Sequence, residues 1–193
     1  MKTAVCTLLA ASFALAQAPA PKPAAPPAAP ALPTSASQVL DRGLGGLERQ
    51  LVPLVEAMPE DKFGYTPTGG EFKGVKTFAQ QAKHLAMVNF LLGAALLNEK
   101  PTVDMKDEEN GPEAMKSKAE IVKFLKDSFV YAHKGVNAIK DAELIAPVPS
   151  PFGPNKTTRL NLAMILTSHG MDHYGQMVVY LRHNGIIPPA SRR

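Results

Sequence analysis

Hydrophobic positions recur along this chain at helical spacing in four separate stretches. The first carries Leu40, Leu44, Leu47, Leu51, Leu54 and Met58 at alternating steps of four and three. Ser35 and Gln38 stand ahead of it at capping-box spacing. Gly43, Gly45 and Gly46 weaken this helix, and Pro53 predicts a kink in it. The second stretch opens at Thr77-x-x-Gln80 and runs to about Asn98, with Phe78, Leu85, Val88, Leu92 and Leu96 giving a broad apolar face. The third opens at Ser117-x-x-Glu120 and runs to about Lys140 on Ile121, Leu125, Phe129, Ala132, Val136 and Ile139. The fourth runs from about Thr158 to His183. Asn184-Gly185 supplies a left-handed stop there, and Pro188-Pro189 bar any resumption.

The segments between these stretches carry turn residues: 58–70, 99–113 and 146–157. No long alternating pattern predicts a sheet, although 146–157 has room for a short ribbon. Four amphipathic helices with moderate connections predict an all-α protein, a four-helix bundle spanning residues 34–193. There is no internal repeat and no heptad run of coiled-coil length.

The N-terminus changes the picture of where the protein works. Lys2 precedes an apolar run from Ala4 to Ala16, and Ala14-Leu15-Ala16 places small residues where a signal peptidase cuts. Residues 1–16 read as a signal peptide, too short in their apolar part for a stable membrane anchor. The expectation is an exported protein, periplasmic or extracellular, with no membrane span after cleavage. The one cysteine, Cys6, leaves with the leader, so the mature chain has no disulfide, thiol nucleophile or thiolate ligand. Residues 17–33 are almost all Pro and Ala and read as an extended linker without a core of its own.

Charge adds little. The net charge is +4, the lysines are scattered, and Trp is absent. No basic-aromatic stripe of the nucleic-acid-binding kind is present, and no nucleic-acid partner is expected.

Chemistry enters with SHGMDHYGQ, residues 168–176. On a helix, His169 and His173 differ by about 40° of rotation and about 6 Å of rise, so both rings leave one side on successive turns. They continue a stripe that reads Leu162, Leu166, His169, His173, Gln176, Tyr180. Two such imidazoles can grip one divalent ion, but a third ligand is wanted from another helix. His84 is the best candidate, on an apolar side of the second helix with Val88 and Leu91. Three imidazoles would leave an open position, the arrangement of catalytic rather than structural zinc. Spacing alone leaves a second reading open, in which the histidines are hydrogen-bonded core residues.

The remaining polar and soft residues have plainer readings. His133 lies a step off the third stripe, and His183 reads as a C-terminal charge partner for the helix dipole. Asp172 points about 100° away from His173 and reads as solvated or as an outer support, not as a ligand. Gln176 and Tyr180 can orient a ligand or a substrate, or be satisfied by backbone. Met87, Met164, Met171 and Met177 read as core filler. No Glu or Asp falls beside the histidine pair on its inward face to act as a general base.

The stretches KHLAMVNFLLG and SHGMDHYGQMVVYLRHNGIIPP resemble the DinB/YfiT-like superfamily. So do MPEDKFGYTPTGGEFKGVKTFAQQAKH and the Pro-Phe-Gly turn ahead of the fourth helix. The resemblance covers roughly residues 35–191. It implies a four-helix bundle with a metal at one end of its core, on His84, His169 and His173, and a zinc, nickel or iron ion as cofactor. It implies a frequent homodimer. Relatives include thiol-dependent S-transferases and a thiol-dependent maleylpyruvate isomerase, so the implied partners are a small-molecule thiol or an electrophilic substrate. A leader and a Pro/Ala linker depart from the cytoplasmic pattern, where such thiols abound. The chemistry of a metal-bound hydroxide, rather than the resemblance, offers hydrolysis as the other metal-dependent activity, with a non-catalytic metal- or ligand-binding bundle as the alternative.

Overall fold

A computed structural model describes residues 31–107 and 109–192. The signal peptide and nearly all of the Pro/Ala linker, with Cys6, lie outside the described residues.

Four helices carry the fold: α1 (Ala36–Ala57), α2 (Phe78–Leu97), α3 (Lys118–Asn137) and α4 (Arg159–His183). Each begins where the sequence supplies a side-chain acceptor for an orphan backbone N–H. Thr77 with Gln80, and Ser117 with Glu120, form complete reciprocal capping boxes. The box on α1 is only half formed. Ser35 accepts from the Gln38 amide, but the Gln38 side chain reaches one residue further back, to Thr34 N (2.8 Å). The helix also runs unbroken across Pro53. At the other end of the chain, the Gly185 N–H donates to Arg182 and the Ile186 N–H to Leu181, both at 3.0 Å. With Gly185 at φ +71°, this is the left-handed stop expected from Asn184-Gly185.

The stripes point inward as their spacing dictates. Leu44, Leu47, Leu51, Leu54 and Met58 of the first stripe are buried, as are Ile121, Leu125, Phe129, Ala132, Val136 and Ile139 of the third. Helix α2 is buried over most of its circumference and packs most extensively on α3, with α4 on its other side. Two short strands, β1 (Pro147–Pro149) and β2 (Lys156–Thr158), pair antiparallel in the α3–α4 connection and lead directly into α4. Met87 and Met177 fill the core, but Met164 and Met171 face solvent, because α4 exposes the opposite side from its leucine stripe. Among the described residues no helix is long and apolar enough to cross a membrane.

Candidate metal centre

Side by side, α2 and α4 bring His84 to the His169–His173 pair. One nitrogen from each of the three rings lies within 4.8 Å of the other two. Ring centroids are 5.2 Å apart for His84–His169, 5.1 Å for His84–His173 and 4.5 Å for His169–His173. His173 is buried; His84 and His169 are half-buried. The three positions singled out by spacing are thus brought together, and among the described residues they form the one cluster of potential metal ligands.

Their chemistry fits a divalent ion. Two nitrogens on one tetrahedral ion, each at about 2.0–2.1 Å, stand about 3.3 Å apart; His84 Nε2 and His169 Nε2 stand 3.2 Å apart. Burial and the neighbouring imidazoles His169 and His84 push the His173 pKa down to about 4, and burial with His84 lowers that of His169. Both rings are therefore neutral at physiological pH, as a ligand must be.

Outside the rings lies a hydrogen-bonded frame. His173 Nδ1 bonds to Gln81 Oε1. Gln81 Nε2 donates to Gln176 Oε1 (2.9 Å), and Gln176 Nε2 donates to Asp172 Oδ2 (3.0 Å). Tyr180 is buried on the inward side and donates to the Lys76 carbonyl (2.9 Å). Asp172 thus supports rather than ligates, and Gln176 belongs to the frame of the site. Gln81 carried no separate signal in the sequence, because its role depends on how α2 and α4 align across their seam.

A carboxylate also arrives that helical register alone does not offer. Lys83 is buried and donates to the Pro112 carbonyl (2.8 Å), which ties the 99–117 connection onto α2. Gly111 sits there at φ +68°, and a Cβ at that residue would lie 2.3 Å from Lys83 Cβ. The same connection pairs Glu109 with Lys76. Lys76 holds the Glu109 carboxyl below its usual range, with smaller contributions from His84 and His173. Thr77, Gln80 and His84 share one face of α2. A cleft of about 620 Å³ lined by Thr77, Gln80, Lys83 and Glu109 lies beside that face.

The other two histidines lie elsewhere. His133 sits between Asp41 and Glu48 on α1, and His183 pairs with the Tyr65 hydroxyl (3.1 Å).

A four-helix bundle with three converging histidines from two helices defines a class of helical protein able to hold a metal ion. The chain belongs to the DinB superfamily, whose family model matches residues 44–177. Its fold is similar to the crystal structure of a conserved protein from Enterococcus faecalis, with a TM-score of 0.62 at 16% identity. That match covers 78% of this chain and 97% of the other. No curated protein matches the chain.

Proposed function

We propose that the protein is an exported enzyme that depends on a divalent metal held by His84, His169 and His173, acting in thiol-dependent S-transfer or in hydrolysis. One observation carries the reading. Three imidazoles from α2 and α4 converge with one nitrogen of each within 4.8 Å of the others, and burial favours the neutral form of His169 and His173. A bound ion would supply Lewis-acid chemistry, bringing the pKa of a coordinated thiol or water towards neutrality. Three imidazole ligands leave room for such a group in a four-coordinate site.

The chain's own residues supply the rest. Glu109, held ionised by Lys76, is the proton acceptor that a hydrolytic reading requires. Lys76, paired with Glu109, holds that carboxylate in place. The cleft along Thr77, Gln80 and Lys83 is large enough for a small polar molecule, although none of the three histidines lines it. Export is supported by the Lys2–Ala16 leader.

Metal content of the untagged chain from Gln17 onward, measured by mass spectrometry beside its His84→Ala variant, tests this reading. About one ion per chain, lost in the variant, is the expected result. No stoichiometric metal after zinc, nickel and iron have each been offered would overturn it. A bound ion with no exchangeable position would keep the site and favour the non-catalytic bundle.

A further inference from the structure

We infer that Asp172, on the solvent side of α4, determines which nitrogen of His173 is free to hold a ligand, acting through the side-chain amides of Gln176 and Gln81. The use made of that nitrogen rests on the metal reading above; the relay itself does not.

The relay is an unbroken chain of directed bonds: Asp172 Oδ2 to Gln176 Nε2 (3.0 Å), Gln176 Oε1 to Gln81 Nε2 (2.9 Å), and Gln81 Oε1 to His173 Nδ1. Its direction is set at the Asp172 end, because a carboxylate has no hydrogen to donate. Gln176 must therefore turn its NH₂ towards Asp172 and its oxygen towards Gln81. Gln81 must then turn its NH₂ towards Gln176 and its oxygen towards His173. An amide oxygen only accepts, so Nδ1 of His173 must carry the hydrogen. A neutral imidazole has one N–H, and Nε2 is left with its lone pair.

Two amides alone could run in either direction with little difference in energy. In the reverse direction an NH₂ would face Nδ1, the hydrogen would move to Nε2, and that nitrogen could no longer ligate. Asp172 makes no hydrogen bond to the ring, since it projects about 100° away around α4. The direction it sets reaches the ring through the amides. At the inner end Gln81 is 1% exposed and His173 7%, so water cannot substitute for a missing partner there. Asp172, Gln176 and Gln81 are positioning residues.

The test uses the purified, untagged, metal-free protein labelled with ¹⁵N-histidine, at about pH 8 where imidazoles are neutral. Two-bond ¹⁵N–¹H correlation reads the tautomer, and the His173 signals are those missing from His173→Ala. The expected result is a pure Nδ1–H form in the parent and a mixture in Asp172→Asn, whose amide can donate. Gln176→Leu, which cuts the chain, should also give a mixture. Zinc affinity by chelator competition should fall about tenfold in Asp172→Asn. Gln81→Glu in that background places an acceptor-only group against His173 and should restore both the tautomer and the affinity. A merely structural role for Asp172 predicts no such rescue. An Asp172→Asn protein that kept a pure Nδ1–H form and zinc affinity within twofold of the parent would overturn the relay. If the tautomer moves but the parent holds no zinc, the relay stands and the metal reading fails. If zinc is held by the three histidines but the tautomer does not move, the relay alone fails.

Discussion

His173 and His133 both sit at helix–helix seams, and their surroundings are opposite. His173 bonds to an amide oxygen at Nδ1 and otherwise faces two imidazoles, His84 and His169. His133 faces a carboxylate at each nitrogen: Asp41 at Nδ1 (2.5 Å) and Glu48 at Nε2 (3.3 Å), while Asn137 donates to the same Asp41 oxygen (2.7 Å). Both nitrogens of His133 are engaged by carboxylates of α1, so neither is turned towards an open site. A ring whose second nitrogen meets an amide oxygen keeps its first nitrogen available. An inward histidine in a bundle is thus a structural clamp or a ligand according to what faces its second nitrogen.

The largest effect should come from removing one ligand. His169→Ala or His173→Ala is expected to lose most bound metal, while circular dichroism shows an intact helical bundle. His133→Ala, an equal truncation at the α1–α3 seam, is expected to keep its metal. Full occupancy in both α4 variants would dissolve the distinction between the two regions.

The next effect is steric. Gly170 follows His169 and faces α1, and a Cβ there would lie 2.2 Å from Leu47 Cδ2. Leu47 is itself buried, so it must repack to make room. Gly170→Ala gains about 1 kcal/mol of helix propensity, but overpacking costs about 1–3 kcal/mol. The expected net result is a loss of up to about 2 kcal/mol in urea unfolding of the metal-free protein. An Ala variant more stable than the parent would show that the α1–α4 seam yields freely.

Acid should separate the regions as well. In the folded state His173 titrates at about 4, below its unfolded value of about 6.5. Folding therefore excludes a proton that the unfolded chain accepts. The contribution of His173 is complete above about pH 6.5 and is lost as pH falls towards about 4. After an allowance for solvent screening, that loss is roughly 2 kcal/mol in the metal-free protein. His169, also lowered, adds in the same direction; Asp172 opposes both shifts, and Lys76 reinforces them. Urea midpoints at a series of pH values should show the drop, and His173→Gln should remove most of it. A flat profile from pH 7 to 4 would contradict the burial argument.

Much of this was readable in advance because it lies along single helices. The apolar stripes and capping residues gave the four helices and their starts. The His169–His173 spacing, with His84 on an apolar side of α2, gave the three rings. The kink expected at Pro53 left no break in α1, since one proline removes one hydrogen bond while Leu51, Leu54 and Val55 on either side remain fixed in the core. Met164 and Met171 proved exposed because composition does not report a face. Gln81 and Glu109 were missed for a different reason. Gln81 meets His173 through the alignment of two helices that no one-dimensional period encodes. Glu109 meets Lys76 from a loop held against Lys83 at Gly111 and Pro112, a path that no helical period encodes.

The smallest effect tests the other half of the comparison. The His133 clamp is partly solvated, with side-chain exposures of 23% for His133, 31% for Asp41 and 34% for Glu48. Ion pairs at such exposure contribute about 0.2–1 kcal/mol, because water and salt screen them. Asp41→Asn removes the charge at Nδ1 but keeps an oxygen there for His133. It is expected to cost less than about 1 kcal/mol at low salt, with the difference shrinking as salt is raised. Metal content should be unchanged, since the clamp joins α1 to α3 and the three ligands stand on α2 and α4. A loss of metal in Asp41→Asn would mean that the two seams are mechanically coupled through the bundle, and that His133 serves the site from a distance.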